Sequence, residues 1–378
     1  MISGTSGEPV EPLIPPKNFS KMNSPVVTSN PPGRGLNIFS KIVTGSTLFL
    51  IFVGALVNST GSGLAVPDWP LSYGTLFPPM VGGVFYEHSH RMAASTVGLM
   101  TLILTIGLAR REKRKWVRNL GFWALASVIL QGILGGITVL FFLPVAISML
   151  HGILAQTFFV LTVLIAYSQS QEHFFRRQIK EDLPQSRLIK LSFVLLILIY
   201  CQLILAAFMR HTHSGLAIPD FPRMGGYFWP PFNNAMLQTI NVWRFKADLE
   251  PVLMWQVVIH CIHRLIAGII ALTAFYLTFK IFKFYRSNKK LVDSILILDN
   301  FIVFQILLGI LTVLSRKVPW ITSLHVVNGA AVLGLSVLFV LRICPLNFQF
   351  VKQMVFKVSL RAERSGAKQS FSSKIVSS

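Results

Sequence analysis

Apolar runs of about 20 residues recur along this chain of 378 residues, and a helix of that length crosses the hydrocarbon core of a bilayer. Backbone polar groups find no water there, so a spanning segment must satisfy them as a helix or a closed barrel. Only 13% of the residues are charged, about half the share of a soluble domain. The sequence therefore predicts an all-α polytopic membrane protein. We place its eight spans near residues 38–57, 90–109, 119–140, 146–167, 189–209, 257–280, 293–314 and 322–342.

Positive charge is unevenly distributed among the segments that join the spans. The chain carries 35 Lys and Arg against 14 Asp and Glu, a formal net charge of +21. Of the 35, 27 lie in 1–41, 109–118, 171–190, 280–290 and 342–378. These segments share one side of the membrane, and an excess of Lys and Arg marks the cytoplasmic side. We therefore expect a multi-pass membrane protein with both termini in the cytoplasm. Its basic character reports topology and attraction to anionic lipid, and no nucleic-acid partner is expected.

The spans divide the chain into five regions. We expect a disordered cytoplasmic tail at 1–37, a first four-helix half at 38–170, a cytoplasmic linker at 171–190, a second four-helix half at 191–345 and a basic tail at 346–378. The tails hold too few apolar residues to form a core. The three cysteines form no CxxC or CxxCH pattern, so neither a thiolate metal site nor covalent haem attachment is expected. The outer loops contain no cysteine, and no disulfide is predicted there.

The two halves of the chain resemble each other in sequence. SGLAVPDWP at 62–70 matches SGLAIPDFP at 214–222, which is 152 residues later. Gln131, Gly135 and Thr138 match Gln305, Gly309 and Thr312, which are 174 residues later. Four spans return the chain to the side on which it began, so the second half enters the membrane in the same orientation, as a parallel repeat. The growing offset places about 21 additional residues in the second outer loop, within 223–259.

Four histidines occupy matching positions in the two halves: His90 with His263, and His151 with His325. Imidazole is costly in an apolar span, so its repetition at equivalent positions indicates a coordinated cofactor. Carboxylates and thiolates do not cluster with these imidazoles, which favours haem iron gripped by two histidines over zinc. Hydrogen bonding between helices is the alternative.

Glu87 distinguishes the first half from the second. It lies one helical turn before His90, whereas the residue one turn before His263 is His260. A carboxylate beside a cofactor can move protons or stabilise a cation, although Glu87 could equally cap the start of its helix. We expect His260 to support the neighbouring ligand.

Other polar residues flank the four histidines. Arg91 and Arg264 follow His90 and His263 directly, and we expect them to pair with haem propionates or another carboxylate. Snorkelling to the membrane surface is the alternative. The Pro-Asp-aromatic-Pro elements at 67–70 and 219–222 are expected to be rigid and either to cover the mouth of the site or to pack the loops. His88 is expected to be hydrated at the membrane interface, and Asp299 has no assigned role.

These motifs together resemble the haem A synthase family. The resemblance rests on Glu87-His88-Ser89-His90-Arg91 combined with His151, His263 and His325, and it extends over about residues 38–342. That family has eight spans in two four-helix halves, with one histidine on each even-numbered span. Some members carry a cysteine pair in an outer loop of each half, which this sequence lacks.

The resemblance implies a membrane oxidoreductase that converts haem O into haem A for terminal oxidases by oxidising the C8 methyl group to a formyl group. It implies that Glu87 is catalytic, that His90 and His151 flank the substrate haem O, and that His263 and His325 ligate a resident haem b. Haem O synthase, a protohaem farnesyltransferase, and an electron donor or acceptor are the implied partners.

Two other functions fit part of the pattern. A quinol-linked dihaem b-type electron-transfer protein would use the same four histidines without modifying haem, but it would not need a carboxylate in one half only. A transporter built from parallel repeats would place its polar path near the bilayer midplane. Here the polar groups gather toward the outer ends of the spans, so this function ranks third.

Overall fold

The computed structural model describes residues 33–176 and 186–344, with side chains in the first stretch described as far as Phe174. Almost all of the tail expected at 1–37, the middle of the linker expected at 171–190 and the tail expected at 346–378 lie outside the described residues. Within them, the secondary structure is helical apart from two isolated β-bridges. The prediction of an all-α membrane protein is confirmed for this part of the chain, which contains eight helices long and apolar enough to cross a membrane.

The eight long helices are α1 (Arg34–Ser59), α2 (Gly83–Arg111), α3 (Lys115–Leu140), α4 (Val145–Ser168), α6 (Ser186–His211), α8 (Met254–Tyr285), α9 (Lys289–Leu314) and α10 (Pro319–Ile343). Two shorter helices, α5 (Gln171–Arg176) and α7 (Asn234–Lys246), lie between them. The shortest long helix, α4, has 24 residues, which exceeds the length needed to span the hydrocarbon core. Each long helix contains one predicted span.

Most long helices extend beyond their predicted spans, and α2 shows why. Its span was predicted to begin at His90, but the helix begins at Gly83. The intervening Glu87 and His88 lower the local hydropathy, yet they are 3% and 7% exposed. Hydropathy marks where a helix meets lipid, whereas these polar residues face the protein interior.

The long helices pack as two closed rings of four. In the first ring, α1 packs against α2, α2 against α3, α3 against α4, and α4 returns to α1. In the second ring, α6, α8, α9 and α10 follow one another in the same way. Consequently α2 lies diagonally opposite α4, and α8 diagonally opposite α10. The four histidine-bearing helices are these diagonal pairs.

Helix α10 joins the two rings, because it packs against α1 and α4 as well as against α6 and α9. Its residues Ala330, Leu333 and Phe339 are fully buried. Gly334 of α10 accommodates the Phe159 ring of α4, and a Cβ built at this glycine would lie 2.8 Å from Phe159 Cε1. Small residues permit such close approach of helices in membrane proteins.

The outward faces of both rings are apolar. Trp123, Leu272 and Phe279 are 66%, 72% and 59% exposed. Lipid tails solvate such side chains without cost, and the backbone polar groups behind them are satisfied within the helices. The surface composition therefore agrees with a multi-pass membrane protein.

Two long connections and two short turns lie at one end of the rings, which we call the loop face. They are residues 60–82 and 212–253 and the turns 141–144 and 315–318. The longer connection includes a 3-10 turn, Ser214–Leu216, and α7. The Asn233 side chain caps α7 by accepting a hydrogen bond from the Met236 backbone N–H at 3.0 Å. Helix α7 was not predicted, because it is short and only part of one face is apolar.

The opposite end of the rings is closed by ion pairs. Arg342 of α10 donates two hydrogen bonds, each 2.9 Å long, to the Glu172 carboxylate of α5. Glu112 accepts hydrogen bonds from Arg114 and from Gln169. Burial alone would raise the pKa of Glu112, but these bonds outweigh it and lower the pKa to about 2.

We predict that Gly334→Ala lowers the free energy of unfolding by about 1–3 kcal/mol, because the new methyl group must displace the Phe159 ring. Gly268→Ala in α8 is the matched control, since nothing lies within 4 Å of a Cβ at that position. Reversible unfolding in mixed micelles measures both. Equal stability of the two variants would contradict the packing described at the junction of the rings.

Candidate functional site

The four predicted histidines lie at similar depth beneath the loop face. His151 and His325 are each six residues into their helices, His90 is seven residues into α2, and His263 is nine residues into α8. These positions are about two turns from the helix start, or slightly more for His263. His90 lies close to His151, and His263 lies close to His325. The structure therefore brings together the pairs that the sequence predicted.

All four imidazoles lack the partners that buried polar groups normally have. The Nδ1 atoms of His90, His151, His263 and His325 are buried without a hydrogen bond. Their Nε2 atoms likewise make no hydrogen bond to any residue within 33–176 and 186–344. Leaving a buried donor or acceptor unpaired costs about 1–3 kcal/mol, and most such groups in native proteins are satisfied. The recurrence of this cost at four equivalent positions indicates a ligand for each ring.

Glycines on neighbouring helices make room for three of the rings. A Cβ on Gly54 of α1 would lie 2.9 Å from His90 Cε1, and one on Gly309 of α9 would lie 3.1 Å from His325 Cε1. The corresponding distance from Gly135 of α3 to His151 Cε1 is 3.4 Å. Gly135 and Gly309 were already matched by sequence, whereas Gly54 was not singled out. Each of these three rings is thus packed against a helix flanking its diagonal pair.

Glutamine side chains hold the backbone beside three of the histidines. Gln131 Nε2 donates to the His151 carbonyl at 2.9 Å, and Gln305 Nε2 donates to the His325 carbonyl at 3.0 Å. Gln202 Nε2 donates to the His263 carbonyl at 2.8 Å. These bonds connect α3 to α4, α9 to α10 and α6 to α8. They fix the relative height of the helices that present the imidazoles.

Glu87 and His260 bind equivalent backbone groups. Glu87 Oε2 accepts a hydrogen bond from the Val66 backbone N–H at 2.8 Å, and His260 Nδ1 accepts one from the Ile218 backbone N–H at 3.1 Å. Glu87 lies beyond the first turn of α2 and accepts no hydrogen bond from a backbone N–H of that helix. It therefore does not cap the helix, contrary to one of the two interpretations left open by the sequence.

Glu87 and His260 each also contact an arginine one helical turn later. Arg91 Nη2 pairs with Glu87 Oε1 at 2.6 Å. Arg264 Nε approaches His260 Nε2 at 3.3 Å. A neutral imidazole accepts at only one nitrogen, so the shorter bond at Nδ1 fixes the His260 tautomer and leaves the arginine as a neighbour. The first half thus has an ion pair where the second has an imidazole.

Arg91 and Arg264 also clamp the two long connections of the loop face. Arg91 donates to the carbonyls of Val66, Asp68 and Leu71, at 3.1, 2.7 and 2.6 Å. Arg264 donates to the carbonyls of Ile218, Asp220 and Arg223, at 3.0, 2.9 and 3.2 Å. These six carbonyls occupy matching positions of the repeated motif. The sequence did not predict that loop carbonyls would engage both Nη atoms of each arginine. Propionate pairing by these arginines stays a prediction.

The Pro-Asp-aromatic-Pro elements form tight loops under these clamps. Asp68 accepts hydrogen bonds from the backbone N–H groups of Tyr73 and Gly74, and Asp220 accepts from those of Gly225 and Gly226. The bonds from Gly74 and Tyr73 lower the pKa of Asp68 below its usual value. The rigidity expected of these elements therefore has a hydrogen-bonding basis.

Trp69 places the first of these loops beside the site. A Cβ on Gly136 of α3 would lie 2.8 Å from Trp69 Cδ2, so the indole rests on the residue that follows Gly135. Since Gly135 faces the His151 ring, Trp69 covers α3 next to that histidine. The indole itself is 43% exposed.

Other polar residues have local partners. His88 is 7% exposed, and its Nδ1 lies 2.9 Å from Ser72 Oγ, so the expectation of a hydrated interfacial residue is wrong. The equivalent contact in the second half joins Cys261 Sγ to Met224 Sδ at 3.7 Å. Asp299 accepts a hydrogen bond from Thr278 Oγ1 at 2.5 Å, which connects α9 to α8 away from the histidines.

The donor set fits haem better than a metal held by the protein alone. Throughout the described parts of the chain, no three His, Cys, Asp or Glu side chains are grouped closely enough to hold a metal ion. Two imidazoles on facing helices are the set that haem iron accepts as axial ligands. The buried, unpaired ring nitrogens agree with that assignment.

Comparisons with known proteins give a consistent identity. The family model COX15-CtaA, described as cytochrome oxidase assembly protein, matches residues 80–337. The chain is similar to proteins named "Heme A synthase". It is 31% identical to that of Alkalihalophilus pseudofirmus over 52% of this chain and 67% of the relative. It is 34% identical to that of Bacillus licheniformis over 50% of this chain and 62% of the relative.

A third relative extends the match over nearly the full length. The protein named "Heme A synthase" from Bacillus pumilus is 26% identical over 83% of this chain and 97% of its own length. The family match includes Glu87 and all four paired histidines. It also covers more than half of the sequence, so the chain belongs to the COX15-CtaA family of cytochrome oxidase assembly proteins.

Proposed function

We propose that this protein is an oxidoreductase that converts haem O into haem A by oxidising the C8 methyl group of the porphyrin to a formyl group. Family membership and the relatives named "Heme A synthase" support the activity. The four imidazoles without protein partners support two haem-binding places. A dihaem electron carrier would share these imidazoles, but the named relatives do not favour it.

The observation that carries the proposal is the difference between Glu87 and His260. Both side chains bind a backbone N–H of the equivalent outer connection, one turn before a paired histidine. Only the first half has a carboxylate there, and only one haem needs chemistry beyond electron transfer. The first half is therefore the proposed place of the substrate haem O, between His90 and His151.

Glu87 has the charge and the fixed position that a catalytic carboxylate needs. The Val66 N–H and the Arg91 guanidinium hold its two oxygens, so it does not need to reorganise during the reaction. We propose that it stabilises positive charge or accepts a proton at a carboxylate oxygen near the reacting methyl group. Arg91 and the loop that it clamps position Glu87 and limit the access of water.

The second half is the proposed place of a resident haem b, ligated by His263 and His325. When bound, that haem supplies one-electron redox chemistry. The residues of this half bind and orient it: Gln202 and Gln305 set the height of the two histidines. His260 occupies the position of Glu87 with an uncharged group that is already hydrogen-bonded to the Ile218 N–H, so it supports the second half without adding a carboxylate.

We further propose that the two rings are a parallel internal repeat with both termini in the cytoplasm. The matching backbone contacts of Glu87 and His260, of the two arginine clamps and of the two loop aspartates support the repeat. The distribution of Lys and Arg supports the orientation. The proposed partners are haem O synthase, which makes the substrate, an electron donor or acceptor, and the surrounding lipid.

We predict that Glu87→Gln lowers the yield of haem A by about 100-fold or more, the usual scale for losing a catalytic proton-transfer group. Haem b binding should persist, since His263 and His325 are untouched. Chromatography of haems extracted from cells that also make haem O measures the yield. Glu112→Gln, at the opposite end, is the control and should give normal haem A. Normal haem A from Glu87→Gln would refute the assigned role.

We predict that His263→Ala and His325→Ala each abolish the haem b spectrum of the reduced, purified protein, because one imidazole is lost from the pair. His213→Asn, on the same loop face, should leave the spectrum unchanged. Asparagine is chosen because His213 has a left-handed backbone with φ of 54°, which asparagine tolerates. An unaltered spectrum after either alanine substitution would remove the second site.

For the orientation, we predict that a fluorescent reporter fused after Ser378 folds in the cytoplasm and fluoresces. A phosphatase that requires export should be active when inserted in the outer connection between Phe228 and Trp229, which are 69% and 79% exposed. In the exchanged pair, the fluorescent reporter inserted between Phe228 and Trp229 should be dark, and the phosphatase fused after Ser378 should be inactive. Activity in the exchanged pair would mean the opposite orientation.

A further inference from the structure

The turns that begin α4 and α10 have the same backbone but different side chains. In each, two consecutive residues that are not glycine adopt the left-handed conformation: Phe142 and Leu143 at φ 56° and 58°, and Arg316 and Lys317 at φ 56° and 66°. The Leu143 N–H donates to the Thr138 carbonyl at 2.7 Å, and the Lys317 N–H donates to the Thr312 carbonyl at 2.8 Å. Lys317 is thus the structural counterpart of Leu143.

The two side chains also lie against equivalent residues. Leu143 Cδ1 is 3.5 Å from a Cβ built on Gly63, and Lys317 Cε is 4.0 Å from one built on Gly215. Gly63 and Gly215 are the same position of the repeated SGLA motif. The second half therefore places an ammonium group where the first half places an aliphatic end.

Lys317 lies among other cations. Arg210 and Arg244 both interact with it electrostatically, and burial followed by these two charges lowers its pKa. Arg244 is occupied by the Leu216 and Glu250 carbonyls, and Arg210 by the Ala55 carbonyl, Ser59 and Asn58. Lys317 Nζ donates to no residue of the described chain. The charge of the nearby Glu250 carboxylate acts to raise the pKa of Arg244, but no described carboxylate lies within ion-pair distance of any of the three cations. A partly buried cluster of like charges is unfavourable without an anion.

The position of this cluster indicates which anion it binds. Basic residues are scarce on this side of the membrane in the proposed orientation. A group of three basic side chains here is therefore better explained by a local binding function than by the positive charge that sets membrane orientation. The Nη atoms of Arg91 and Arg264 are already engaged by loop carbonyls. Lys317 lies two residues before α10. His325 lies six residues into that helix, which is about 9 Å along the axis from the helix start. The polar edge of a porphyrin is its propionate carboxylates, which favour the hydrated loop face over the apolar interior.

We propose that Lys317, flanked by Arg210 and Arg244, binds the propionates of the porphyrin held between His263 and His325. This inference rests on the proposed haem b site. It implies that the first half, with Leu143 at the equivalent place, lacks this anchor. The same scaffold would then retain its cofactor in the second half and exchange substrate and product in the first.

The test compares binding of protohaem and of protohaem dimethyl ester, which has no free carboxylates. It uses the full-length apoprotein with His90→Ala and His151→Ala, so that only the second half binds. Lys317→Leu, which copies the first half, should weaken protohaem binding about 10- to 100-fold, as expected for losing a charge-assisted contact. It should leave binding of the ester unchanged. Lys317→Arg should retain most of the affinity, and Lys246→Leu, on exposed α7, should match the parent.

Two results would overturn this inference. One is equal loss of protohaem and ester affinity in Lys317→Leu, which would indicate a structural role. The other is unchanged haem affinity together with loss of co-purified phosphatidylglycerol, which would assign the cluster to a lipid phosphate. Because binding is read without turnover, a protein that binds protohaem through Lys317 but makes no haem A would refute only the proposed activity.

Discussion

Four buried imidazoles that lack protein partners explain why the helices of this protein are arranged in two rings. His90, His151, His263 and His325 lie inside apolar helix rings, where water cannot satisfy them. The ring topology keeps α2 apart from α4 and α8 apart from α10, so these side chains cannot satisfy one another by direct helix packing. We propose that a scaffold that sustains this cost four times is organised around ligands that enter between facing helices.

The two rings share one framework at the loop face but differ there in two side chains. In both halves an arginine clamps three loop carbonyls, and an aspartate tightens the loop beneath it. Within this shared framework, Glu87 is replaced by His260 and Leu143 by Lys317. One half has a carboxylate and an apolar turn, the other an imidazole and an ammonium group. We propose that this difference separates a place of reaction in the first half from a place of retention in the second.

The sequence predicted the parts of the fold that follow from hydropathy and periodic spacing. The eight spans and the pairing of histidines by repeat position were visible, because each depends on local composition or on a constant offset. Helix α7 was not, because it is short and only part of one face is apolar. The start of α2 was not, because Glu87 and His88 lower its hydropathy although the preceding connection buries them. The clamp made by Arg91 could not be predicted either, because its partners are backbone carbonyls, which leave no mark on residue identity. Aligning residues 141–144 with 315–318 would have revealed Lys317 opposite Leu143.

If imidazoles from facing helices ligate haem iron in pairs, the axial ligands of the bound haem will show it. Near-infrared magnetic circular dichroism of the oxidised, purified protein identifies those ligands from the position of the low-spin charge-transfer band. We expect a six-coordinate, low-spin haem with two neutral imidazoles. A high-spin haem, or a low-spin haem with only one imidazole, would contradict it.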